Sequence, residues 1–163
     1  MGRMPPEIEA AAKREGIEPA KLARLVALGR AVIPRNIRRE KCEPTGIGEL
    51  LSIKVNVNVG TSQNLDSPQS EVEKSLAAVA AGADAVMDLS TGGDLDAIRR
   101  MILDGVSVPV GSVPIYNAAV KNDLTSQGFF NALEKHAKDG IDFVTVHVGV
   151  NKNSLERLRL DPR

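Results

Sequence analysis

The chain has 163 residues, 42% hydrophobic and 26% charged, an ordinary composition for one domain but short of the ~250 residues typical of a complete α/β barrel. Lys plus Arg, 21, balance Asp plus Glu, 21, so no global field recruits nucleic acid or an anionic membrane, and with no Trp, one Tyr and three Phe the platforms that stack single-stranded nucleic acid are nearly absent. No apolar run is long enough to span a bilayer, the N-terminal stretch has no apolar signal core, and a lone cysteine excludes both an internal disulfide and a cysteine-ligated cluster of the chain's own, so the expectation is a cytoplasmic protein with local partners.

Residues 1–49 read as a helical and linker region. EIEAAAKRE is helix-rich and stops at Gly16; PAKLARLVAL starts on Pro19 and stops at Gly29. In RAVIPRNIRREKCEPTGIG, Pro34, Pro44, Gly46 and Gly48 forbid long regular structure. Its basic residues Arg30, Arg35, Arg38, Arg39 and Lys41 form either a solvated linker or a face toward an anionic ligand. Cys42 reads as a partly buried structural thiol.

Residues 50–163 read as a βα repeat. Each unit is an apolar strand followed by an amphipathic helix closed by a glycine. The strands are SIKVNVNVG, ADAVMDLS, VPVGSVPIY and DFVTVHVGV. The helices are SPQSEVEKSLAAVAAG, with Ser67 as cap, then DLDAIRRMILDG, then TSQGFFNALEKHAKDG, capped by Thr125, and finally NSLERLRL. Strands alternating with helices in this way build parallel sheets.

Asparagine disfavours strands, yet KVNVNVG carries two. Val55, Val57 and Val59 point one way while Lys54, Asn56 and Asn58 point the other; in the last strand Val144, Val146, Val148 and Val150 oppose Thr145 and His147. An open doubly wound sheet is covered on both faces and wants apolar residues on both. One polar face instead suits a barrel with its helices outside, whose ligand site lies at the C-terminal ends of the strands. Asn58, Met87, Tyr116 and His147 recur there at near-equal spacing and are the candidate substrate-binding residues. Ser112, Pro114 and Tyr116 share a face if VPVGSVPIY is one strand. Met87 and Asp88 face opposite ways, and pattern does not choose between them.

Two loops carry anion-binding chemistry. STGGDLD offers Thr91, Gly92 and Gly93 before a helix, either as a phosphate loop or as a plain turn, and GTSQN offers the same groups more weakly. His136 reads as a surface or helix-packing residue. His147, on a polar face beside a glycine, can donate to a ligand or exchange a proton. No catalytic triad and no metal-ligand set has local support, and Asp84 and Asp88 do not define a carboxylate pair.

GRAVIPRNI, KVNVNVGTS, AGADAVMDLSTGGDLDAIRRMIL, VPVGSVPIY and DFVTVHVGV, in this order, resemble the phosphomethylpyrimidine synthase family of radical S-adenosylmethionine enzymes. The resemblance implies a (β/α)₈ barrel with an N-terminal region, usually dimeric, of which this chain carries the N-terminal helical hairpin and the first four βα units, a half barrel. It implies a lyase of thiamine biosynthesis that converts 5-aminoimidazole ribotide into hydroxymethylpyrimidine phosphate. By motif, the family's substrate-contacting residues fall on Asn58, Met87, Tyr116 and His147. The family's cofactors are a [4Fe-4S] cluster, S-adenosylmethionine and a metal ion, zinc or iron; its cluster cysteines and metal histidines have no counterpart in these residues. The expectation is therefore a fragment inactive alone. The alternatives are the related enzyme that makes 5-hydroxybenzimidazole from the same substrate, a non-catalytic half-barrel module that binds a phosphorylated ligand, and a structural remnant.

Overall fold

The computed structural model describes residues 4–64 and 67–160. Helix α1 (Pro6–Glu15) and helix α2 (Pro19–Ala27) each begin on a proline, whose missing N–H costs nothing in a first turn. Gly16 ends α1 in the left-handed conformation, φ 66°, and donates its N–H back to Ala12 and Lys13. Ile8, Ala11, Ala12, Leu22, Leu25 and Ala31 close the hairpin around its own small core. Strand β1 (Ala31–Val32) then pairs antiparallel with β2 (Ile47–Gly48).

The main sheet has four parallel strands in the order β3 (Asn56–Val59), β4 (Ala85–Asp88), β5 (Val110–Ser112) and β6 (Phe143–Val144). Helix α3 (Pro68–Ala80) joins β3 to β4 and α4 (Leu95–Gly105) joins β4 to β5. Two helices, α5 (Pro114–Val120) and α6 (Ser126–Asp139), fill the next crossover, and α7 (Lys152–Leu160) follows. Ser67, Asp94 and Thr125 cap α3, α4 and α6 through their side chains. The core lies on one face of the sheet, where Val59, Val86 and Val110 meet Ile98, Ile102 and Leu103 of α4. This is an α/β arrangement consistent with part of an α/β barrel.

Register settles the faces. Asn58, Met87, Gly111 and Phe143 stand side by side on the face away from the helices; Val59, Asp88, Ser112 and Val144 form the neighbouring row toward them. Met87 therefore belongs with Asn58, and Asp88 does not.

Three expectations are corrected. VPVGSVPIY is not one strand: it ends at Ser112, and Pro114 opens α5, so Tyr116 is helical. Ser112 consequently lies on the helix-facing side rather than sharing a polar face with Tyr116. The fourth strand is only Phe143–Val144, and Val144, Val146, Val148 and Val150 are all exposed among the described residues, not covered by helices.

The basic segment divides: Arg30, Arg38 and Lys41 remain exposed, whereas Arg35 is half-buried and Arg39 is buried and taken up by the fold. Arg39 is 6% exposed and reaches the Asp142 carboxylate at 2.9 Å and the Val106 carbonyl at 2.8 Å. Asp142 also accepts the N–H groups of Asn36 and Val110, both at 2.8 Å. Arg35 pairs with Glu7 and Arg30 with Glu49, while Arg38 donates to the Lys138 carbonyl. Carbonyls before β5 and one buried carboxylate demand donors, and Arg39 supplies them.

Candidate functional site

At the C-terminal ends of β3 and β4 two loops are built into one another. The Thr61 N–H donates to Ser90 Oγ at 3.1 Å, the Thr61 hydroxyl to the Gly92 carbonyl at 2.6 Å, and the Thr91 N–H to the Thr61 carbonyl at 2.9 Å. A Cβ on Gly92 would lie 2.8 Å from the Gln63 nitrogen, so only glycine allows this approach. The buried Glu71 carboxylate anchors the first loop by accepting the Gly60 N–H at 2.7 Å.

This geometry bears on the anion readings. The helix α4 N–H groups of Asp96 and Ala97 are both taken, at 3.1 Å, by the carboxylate of Asp94. A helix terminus already capped by its own anion has little to offer a phosphate. Gly92 of STGG serves a close backbone contact with the first loop.

The interlocked loops wall a cleft of about 510 Å³ lined by Ser62, Gln63, Asn64, Thr91, Tyr116, Ala119 and Val120. Tyr116 enters it from the first turn of α5. Its ring stacks on the imidazole of His147, with centroids 5.7 Å apart and planes inclined by 22°. The segment after β6 carries His147 there although it is no longer strand. Asn58 is exposed on the face away from the helices, and among the described residues its side chain accepts only from the Asn56 amide, at 3.5 Å. Met87, beside it, is 7% exposed. Its methyl lies over Gly111, where a Cβ would come within 2.9 Å, and the Phe143 ring closes from the other side. The structure thus joins Tyr116 to His147 by contact and Asn58 to Met87 by register.

Behind this surface, on the helix side, lies a polar cluster. Arg99, 1% exposed, donates to Asp96 at 2.7 Å, to Asp139 through Nε at 3.1 Å and toward His136 Nε2 at 3.0 Å. His136 Nδ1 meets Ser112 Oγ at 2.7 Å. Burial, then the neighbouring guanidinium, holds the His136 pKa down to about 4, so it is neutral near pH 7. His136 is accordingly a helix-packing residue and not a surface one. Gly128, Ala132 and His136 form the buried stripe of α6, an i, i+4 periodicity that was present in the sequence. Burial likewise raises the Asp88 pKa, although its carboxylate accepts the Ser90 N–H at 2.9 Å.

Cys42 is buried, and burial followed by the Asp142 charge pushes its thiol up to about 11. Such a thiol is a poor metal or cluster ligand. No group of three or more His, Cys, Asp or Glu side chains among the described residues could hold a metal ion. These residues therefore do not fit an iron–sulfur cluster or a catalytic metal. Nor is any helix among them long and apolar enough to cross a membrane.

The sequence model of the Radical SAM ThiC family matches residues 1–163. Phosphomethylpyrimidine synthase from Archaeoglobus fulgidus is 54% identical over 160 residues, which cover 96% of this chain and 38% of that protein. Phosphomethylpyrimidine synthase 1 from Methanosarcina mazei is 54% identical over 99% of this chain and 39% of its own length. The Thermococcus gammatolerans phosphomethylpyrimidine synthase is 45% identical over 97% of this chain, again 39% of that protein. The chain spans about two fifths of the length of the curated relatives it matches.

Proposed function

Because the chain belongs to the Radical SAM ThiC family, we propose that it supplies part of the substrate site of a phosphomethylpyrimidine synthase, an enzyme of thiamine biosynthesis acting on 5-aminoimidazole ribotide. In this reading residues 1–49 form the helical and linker region, and residues 50–163 are the first half of a (β/α)₈ barrel in a cytoplasmic homodimer. The observation that carries it is the Tyr116–His147 stack beside the cleft, at the strand ends where such barrels bind their ligands.

Each residue has a role suited to its surroundings. Asn58, exposed with its amide lightly used, hydrogen-bonds the imidazole or ribose. Met87 packs its thioether against the substrate. Tyr116 hydrogen-bonds through its hydroxyl while its ring steadies His147. His147 holds a polar substituent or moves a proton at a ring nitrogen. With one cysteine, buried and reluctant to ionise, these 163 residues by themselves are a binding unit and not a radical generator.

Titration calorimetry with 5-aminoimidazole ribotide tests the proposal. Asn58→Ala and His147→Ala are each expected to weaken binding by about 1–3 kcal/mol, the cost of one lost buried polar contact. Unchanged affinity in both variants would remove the site.

A further inference from the structure

Ser112 is the junction of the two segments that bear the stacked rings. It ends β5 immediately before α5, which carries Tyr116. Its carbonyl accepts the Thr145 N–H at 2.9 Å, just past the end of β6 and just upstream of His147. Helix α5 has no side-chain cap of its own, because its N-cap is Val113. The seating of both rings therefore depends on how firmly Ser112 is held.

What holds the Ser112 side chain is His136. The hydroxyl is 1% exposed and lies 2.7 Å from Nδ1 of an imidazole that is itself 2% exposed. A guanidinium has donors and no acceptor, so Arg99 Nη1, at 3.0 Å, requires Nε2 to be the accepting nitrogen. The proton then sits on Nδ1, and His136 donates to Ser112 Oγ. Arg99 cannot swing away, since Asp96 and Asp139 grip it from α4 and α6. A weaker tie, from the Asn117 amide to Asp96 at 3.3 Å, fastens α5 to the same cluster.

We propose that His136 is a positioning residue for the Tyr116–His147 pair, acting through its Nδ1–H donor on Ser112. That this positioning serves a ligand rests on the ribotide reading. The alignment itself does not.

Tyr116 is the only tyrosine and the chain has no tryptophan, so tyrosine emission and the near-ultraviolet circular dichroism at wavelengths beyond the phenylalanine bands report this ring alone. His136→Asn keeps an amide donor near the place of Nδ1 but withdraws the acceptor from Arg99. His136→Gln does the reverse. In the unliganded chain His136→Asn is expected to keep the wild-type tyrosine signature, and His136→Gln to lose it to the level of His147→Ala, which abolishes the stack. A wild-type signature in His136→Gln, or equal loss in both variants, overturns the proposal. Should His136→Gln fail to fold, Ser112→Ala takes its place: it is expected to lose the signature and Ser112→Thr to restore it, and a wild-type signature in Ser112→Ala overturns the proposal. Ribotide titration then separates the two ideas. Weaker binding by His136→Gln supports both, whereas a lost signature with wild-type affinity upholds the positioning and overturns the ribotide site.

Discussion

Two rows of the sheet, one residue apart along the same strands, use polarity in opposite ways. In the row toward the helices, Asp88 and Ser112 are both buried and both bonded within the protein, one to the Ser90 N–H and the other to His136. In the row away from them, Asn58 is exposed and, among the described residues, shares only a long side-chain contact with Asn56. The first kind of polar residue answers the fold's own unsatisfied groups. The second keeps its capacity for something else, and that difference separates a structural polar residue from a candidate binding residue better than residue type does.

The comparison breaks most directly at Arg99. Arg99→Ala leaves Asp96 and Asp139 without their buried cation and His136 without its donor, so unfolding in urea should show a loss of about 3–5 kcal/mol, as expected when one member of a buried ion pair is removed. A loss below about 1 kcal/mol, the range of exposed ion pairs, would mean that the helix-side cluster is not structural after all.

The next effect is on pH dependence. The folded pKa of His136, about 4, lies below its ordinary 6.5, so the unfolded chain binds the extra proton first as pH falls. Stability is fully present above pH 6.5 and declines between 6.5 and 4. This loss reaches about 3 kcal/mol by the lower end, at ~1.4 kcal/mol per unit of difference. Urea titrations at stepped pH should show that slope in the wild type and a flatter one in His136→Gln.

The smallest effect sharpens the contrast from the other side. Asn58→Ala should leave the unfolding midpoint almost where it was, within about 0.5 kcal/mol, because an exposed side chain bonded only to its neighbour contributes little. A large loss of stability would place Asn58 among the structural residues and weaken its claim to a ligand.

What could be read from the sequence followed from local rules. The alternation of valine and asparagine in KVNVNVG, the proline starts of α1 and α2, and the caps at Ser67 and Thr125 are all set within a few residues. Tyr116 is not the last residue of a strand but lies in the first turn of the helix that follows it. VPVGSVPIY has the apolar density of a strand, yet a proline suits a first helical turn better than a strand interior, and Pro114 takes that place. The face of Ser112 depends on its neighbours Asp88 and Val144 across the sheet, which no local pattern supplies. The burial of Arg39 is hidden for the same reason, since a run of charge looks solvated until the distant carboxylate that meets it is known. The structure groups the four candidate residues as two pairs, Tyr116 with His147 by ring contact and Asn58 with Met87 by register. The His136 cluster behind them was visible only as the small-residue stripe of α6.

The Arg39–Asp142 bridge also has a consequence for the newborn chain. Its two ends are separated by 103 positions, and at synthesis rates of ~5–20 residues per second Asp142 is added about 5–20 s after Arg39. For that interval the guanidinium has emerged or is emerging without the carboxylate it will be buried against. The Arg39–Asp142 bridge can lock only late, so the α1–α2 hairpin, which closes on its own small core, has time to form before the sheet is complete.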